Sequence, residues 1–206
     1  MSPLRAAPFP STGISYQEDF PYPDGNLNGQ GPWGVDFIGS PSLVVVSNTI
    51  HTDATGNGQS MATGVITAAN MALPWSFALD FDYIYSPGNQ QAFDLFIGDQ
   101  GAIWFGIQVV DLNGDGAAAS QQIFAIATNA AGTQIFSPIV SLSNSFRITL
   151  IFDGTSVLID IDGIPWGSFW PGDMTLVATP NITYGSITSD PAAGFVLRQI
   201  AFAGFI

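Results

Sequence analysis

Residues 145–170 read SFRITLIFDGTSVLIDIDGIPWGSFW, and their alternation decides the fold class. Phe146, Ile148, Leu150 and Phe152 fall on one side of an extended chain, with Arg147, Thr149 and Asp153 on the other. Val157, Ile159 and Ile161 then alternate with Asp160 and Asp162. Asp153-Gly154 and Asp162-Gly163 punctuate the run, and the second leads toward Trp166 and Trp170. Glycine after aspartate supplies the positive φ that a tight hairpin needs, so the stretch predicts an antiparallel meander.

The same period extends outward. Phe77, Leu79, Phe81, Tyr83 and Tyr85 share one face against Asp80 and Asp82, predicting a long half-buried strand over residues 76–85. The β-branched run at 42–47 (SLVVVS) reads as a strand. Further strands are expected at 17–20, 61–68, 91–98, 102–112, 175–178, 182–187 and 195–206. Residues 69–74 leave room for one helical turn at most. The alanines of 117–130 suit a helix, whereas the Ile-Phe-Ala-Ile core and the turn at 129–132 favour a hairpin with 133–136. No fixed-period repeat points to a solenoid or propeller. Many short strands with almost no helix predict an all-β, two-sheet antiparallel jelly-roll sandwich.

The 206 residues suit one large β-domain, placed at 16–206, preceded by an extended proline-rich arm at 1–15. Three basic residues (Arg5, Arg147, Arg198) stand against sixteen acids, for a net charge of −13. Such a chain repels phosphate backbones, which argues against a nucleic-acid partner. The absence of cysteine removes disulfides, thiolate metal sites and thiol nucleophiles together. Gly, Asp or Asn interrupts every apolar run before the roughly 18 residues of a membrane span, so no membrane insertion is expected. The opening residues lack the apolar stretch of a secretory signal.

Three features together resemble the concanavalin A-like (laminin G-like) jelly-roll superfamily. They are Glu18-Asp19-Phe20 followed by Asp24-Gly25 and a Gly-rich stretch ending in Trp33, the hairpin from Phe152 to Gly163, and the final VLRQIAFAGFI. The resemblance implies that the first and last strands pair and that the central meander belongs to one of two curved sheets. The superfamily holds lectins, glycosidases, adhesion modules and virion proteins, so its fold alone implies little about function.

Glycosidases need two carboxyls flanking one bond, about 5 Å apart for retention and farther for inversion. The resemblance implies glutamates in an E-x-D-x-(x)-E pattern on one strand, yet Glu18 is the sole glutamate. Asp80 with Asp82, or Asp160 with Asp162, stand two apart and mimic such a pair, but solvent-facing aspartates on half-buried strands explain both more simply. The chain is therefore expected not to be an enzyme. Asp111, Asn113 and Asp115, with Gly116 in sixth place, match the first half of a calcium loop. Gln122 replaces the glutamate that would complete it, so calcium is the one cofactor the sequence admits and a plain turn is the simpler reading. His51, Asp53 and Asn57 form a weaker cluster. One histidine makes no zinc site, and no nucleophile elbow accompanies His51. Trp33, Trp166 and Trp170 lie in Gly/Pro-rich surroundings and are the candidates for a sugar-stacking platform, whereas Trp75 and Trp104 are expected in the core.

These readings lead to two functional expectations. The first is a non-enzymatic virion structural protein, a phage capsid decoration or tail-associated protein. Its arm (Pro3, Leu4, Arg5, Pro8, Phe9, Pro10) would dock onto another virion subunit or onto a second copy in a homo-oligomer. The alternative is a carbohydrate-binding, lectin-like module on the same fold, with surface glycans as partners. Either is placed on the virion surface, or otherwise outside the cell.

Overall fold

The computed structural model describes residues 15–35, 41–52, 57–84, 91–99, 103–111, 121–128, 133–136, 145–169, 174–178, 180–188 and 194–204. The first strands in chain order are β1 (Ser15–Glu18), β2 (Gly25–Asn26), β3 (Trp33–Gly34), β4 (Val44–Val46), β5 (Thr49–His51) and β6 (Asn57–Thr63). After a short helix, α1 (Ala68–Ala72), come β7 (Trp75–Ile84), β8 (Gln91–Asp99), β9 (Ile103–Asp111), β10 (Gln121–Thr128) and β11 (Thr133–Phe136). The chain continues through β12 (Ser145–Phe152), β13 (Val157–Ile161), β14 (Ile164–Phe169), a 3-10 turn at Met174–Leu176, β15 (Asn181–Thr188) and β16 (Gly194–Gly204).

These strands form two antiparallel sheets packed as a sandwich. One has nine strands, ordered β14-β13-β12-β7-β16-β5-β4-β2, with β1 also on β16. The other has seven, ordered β11-β10-β9-β8-β15-β6-β3. The decisive stretch becomes the β12-β13-β14 meander, with Leu150 opposite both Phe77 and Ile159. Its second hairpin turns at Asp162 (φ 52°) and Gly163 (φ 82°), the paired positive values of a type I′ turn. First and last strands pair as expected, with Ser15 opposite Ala203 and Glu18 opposite Ile200.

Burial on β7 follows strict alternation from Trp75 to Tyr83. Phe81 joins the layers, stacking on Phe146 of its own sheet at 5.2 Å and on Phe93 of the opposite sheet at 4.5 Å. Trp75 is fully buried, as its sequence context predicts. Residues 121–128 form a strand hairpinned with β11, which resolves the helix-or-hairpin alternative.

Two boundaries differ from expectation. The strand expected over 61–68 ends at Thr63, because Thr67 caps a helix there: its hydroxyl accepts from Asn70 N–H, and the Asn70 side chain accepts from Thr67 N–H. The strand expected at 175–178 is a 3-10 turn that buries Met174 and Val177. The proline-rich arm, including Pro3, Leu4, Arg5, Pro8, Phe9 and Pro10, lies outside the described residues. No helix among the described residues is long and apolar enough to cross a membrane.

Candidate functional site

Trp33 does not serve as a stacking platform. It is 2% exposed, its ring sits 5.8 Å from that of Phe20, and its indole N–H donates to Glu18 Oε2 at 3.3 Å. Glycine-rich flanks suggested a loop tip, but pairing of β3 with β6 draws the indole into the core. Glu18 is equally structural. Oε2 also accepts from the hydroxyls of Tyr16 and Tyr22, at 3.1 and 2.6 Å, and Oε1 accepts from Phe20 N–H at 2.9 Å. Burial and the neighbouring carboxylate push both tyrosine hydroxyls well above their ordinary pKa. The sole glutamate is thus a clasp that ties the first strand to the loop after it.

Trp166 is half-buried on β14 and packs against the core. Trp170, Asn113, Asp115 and Asp53 lie outside the described residues, as do the side chains of Trp104, Asp111 and Asn57. His51 is partly buried, 2.9 Å from the Thr49 hydroxyl, and burial lowers its pKa. Among the described residues no group of three or more His, Cys, Asp or Glu is placed to hold a metal ion.

The aspartate pairs of the nine-stranded sheet are engaged in structural bonds. Arg147 lies directly opposite Asp80 and binds it through two nitrogens, at 2.7 and 2.6 Å. Asp82 accepts from the Ser145 hydroxyl at 2.6 Å and lies 3.5 Å from Arg198. Asp160 accepts from Gly163 N–H and Asp162 from Arg147 N–H, each at 2.8 Å. These carboxylates hold turns and strand pairs on the sheet's outer face.

A different arrangement occupies the outer face of the seven-stranded sheet. Phe93, Leu95 and Ile97 of β8 point into the core, so Ala92, Asp94 and Phe96 point outward. Register sets Gln59, Gly185, Asp94 and Gln108 side by side across β6, β15, β8 and β9. At ordinary strand spacing this row runs about 14 Å. Gln108 donates its amide N–H to Asp94 Oδ1, while Oδ2 has no hydrogen-bond partner among the described residues. Burial raises the Asp94 pKa above its ordinary value, and the Gln108 bond opposes that rise.

The next row places Met61, Thr183, Phe96 and Gly106 together. A Cβ at Gly106 would run into the Phe96 ring and the Leu95 carbonyl oxygen. The ring therefore lies across β9, over the one residue type that leaves room for it. One further row along, Thr63 pairs with Asn181 at the lip of a groove of about 500 Å³ whose walls include Ile66, Thr67 and Pro180. A partly exposed aromatic ring, a half-buried carboxyl whose second oxygen has no partner among the described residues, and side-chain amides suit the mixed apolar and hydroxyl surface of a sugar.

Neither Asp94 nor Phe96 stood out in the sequence as a candidate. The signal was present as the outward positions of QAFDLFIG, which read Ala, Asp, Phe. What sequence could not supply was the register that brings Gln108 and Gly106 beside them.

No family model matches the sequence, and no curated protein sequence matches it. Solved structures do resemble the fold. The CBM2 module of the evolved Dit of Lactobacillus casei BL23 phage J-1 is 11% identical, with a TM-score of 0.66 over 94% of this chain and 98% of that one. SCLam, a non-specific endo-β-1,3(4)-glucanase of family GH16, is 11% identical, with a TM-score of 0.64 over 96% of this chain and 94% of that one. The carbohydrate recognition domain of Emp47p is 9% identical, with a TM-score of 0.57 over 95% and 97%. With its two antiparallel sheets and its paired terminal strands, the chain has the concanavalin A-like jelly-roll fold.

Proposed function

We propose that this protein is a non-catalytic carbohydrate-binding module carried by a phage particle, with the outer face of the seven-stranded sheet as its binding surface. The observation that carries the reading is the Phe96 ring laid over Gly106 beside the Asp94–Gln108 pair. The ring offers a stacking surface, and Asp94 Oδ2 with the amide of Gln108 offers hydrogen bonds to hydroxyls. Asp94 is the only carboxyl among the described side chains of that face. Glycoside hydrolysis uses two carboxyls across one bond, so this favours binding without cleavage. Two structural neighbours, a phage CBM2 module and a carbohydrate recognition domain, are consistent with the binding role. The phage neighbour also favours a virion location, with the proline-rich arm as the attachment to a particle subunit.

A glycan array probed with the full chain, with and without a chelator, tests the binding role. The expected result is a glycan signal that survives in the wild type and disappears in Phe96→Ala while the far-UV circular dichroism is unchanged. An array silent for the wild type would remove the binding reading. Deleting residues 1–13 tests the particle role: association with particles should be lost and the fold kept, and unchanged association would remove the arm from the proposal.

A further inference from the structure

We infer that the binding face selects uncharged glycans and turns away polysaccharides that carry carboxylate, sulfate or phosphate groups. This rests on the carbohydrate-binding reading above and adds the chemical class of the ligand. The sequence holds no lysine, and its side-chain cations are Arg5, Arg147, Arg198 and the single His51. Arg147 and Arg198 stand on the nine-stranded sheet, on the opposite side of the sandwich, and are drawn to Asp80 and Asp82 there. His51 belongs to that same sheet, on β5, and burial lowers its pKa, which disfavours the charged form. Arg5 lies in the arm, outside the described residues.

The described side chains on the binding face are of another kind. Gln59, Gln108, Asn181 and Thr63 bring amides and a hydroxyl, Phe96 brings a ring, and Asp94 brings the only ionisable group. An anionic sugar would meet no counter-charge among the described residues of this surface. It would also approach a chain of net charge −13, whose field acts over roughly 8 Å at physiological ionic strength. A neutral hydroxyl-bearing or acetamido sugar meets neither obstacle, and its hydroxyls can donate to Asp94 Oδ2.

The test compares neutral polymers with acidic ones, the β-glucan and its carboxymethylated form sharing one backbone. The full chain is titrated with a soluble neutral β-glucan, a neutral galactan and chitooligosaccharides, then with carboxymethylated β-glucan, polygalacturonate and a teichoic acid. At physiological salt, neutral probes should bind about tenfold or more tightly than acidic ones, and added salt should narrow that gap by screening. Thr63→Lys, which places a cation on the rim of the groove, should narrow the gap between acidic and neutral probes, and an unchanged gap would count against charge selection. Acidic probes binding as well as neutral ones at equal salt would overturn the charge selection while leaving glycan binding intact. Failure of every probe to bind would overturn the carbohydrate reading itself, and this inference with it.

Discussion

The Phe96 ring lies over Gly106, and the two residues face each other across the β8–β9 pair. Any side chain at Gly106 has to displace the ring and also meets the Leu95 carbonyl oxygen on the neighbouring strand. Overpacking of this kind costs about 1–3 kcal/mol. Gly106→Ala should therefore lower the urea midpoint and abolish glycan binding together. Adding Phe96→Ala to that variant should recover part of the stability and none of the binding, a coupling that a double-mutant cycle reads directly.

Glu18 gathers four donors from Tyr16, Phe20, Tyr22 and Trp33 at the start of the sandwich. Glu18→Gln keeps the volume but turns an amide N–H₂ toward groups that donate, leaving at least one buried donor unmatched. The expected loss is about 1–3 kcal/mol in chemical unfolding. The same clasp shapes the alkaline limb of stability. Both tyrosines ionise at higher pH in the fold than their ordinary 10.0. Their contribution is thus complete below pH 10.0 and falls away as pH rises beyond it. Tyr16→Phe should make the fall in melting temperature above that pH shallower, and an unchanged slope would remove Tyr16 from the clasp.

How much of this could be read from sequence depended on whether the information was local. The β12–β14 meander was legible because alternation and Asp-Gly turns act within a few residues. Trp33 was misread because its burial comes from β6 and Phe20, and from a carboxylate fifteen positions earlier in the chain. The binding face was hidden for a related reason. Outward positions look alike on both sheets, and only register distinguishes Asp80, neutralised by Arg147, from Asp94, paired with a neutral amide.

Asp94 gives a pH signature. Its folded pKa is raised by burial, so the native state holds the proton to higher pH than the unfolded chain, whose value is near 3.8. Stability is then greatest below that value and declines as pH rises through the folded pKa. Asp94→Asn keeps an oxygen for Gln108 to donate to and removes the titration. The variant should be more stable than wild type at neutral pH, with the difference vanishing toward pH 3. Equal melting temperatures at both pH values would show that Asp94 carries no burial penalty.

Asp162 lies in the stretch whose alternation decides the fold, at the turn between β13 and β14. Its φ of 52° is left-handed, a conformation that costs most residues roughly 1–2 kcal/mol but that aspartate and asparagine tolerate. Its carboxylate also accepts from Arg147 N–H at 2.8 Å, fastening the hairpin turn to β12. Asp162→Asn keeps both properties in part and should be nearly neutral. Asp162→Val loses both, placing a β-branched residue at positive φ and leaving the Arg147 N–H to water. We expect the valine variant to lose about 2 kcal/mol or more, with accelerated hydrogen exchange concentrated in β13 and β14. Exchange that stays uniform across the sandwich would show that the turn does not govern this edge of the nine-stranded sheet.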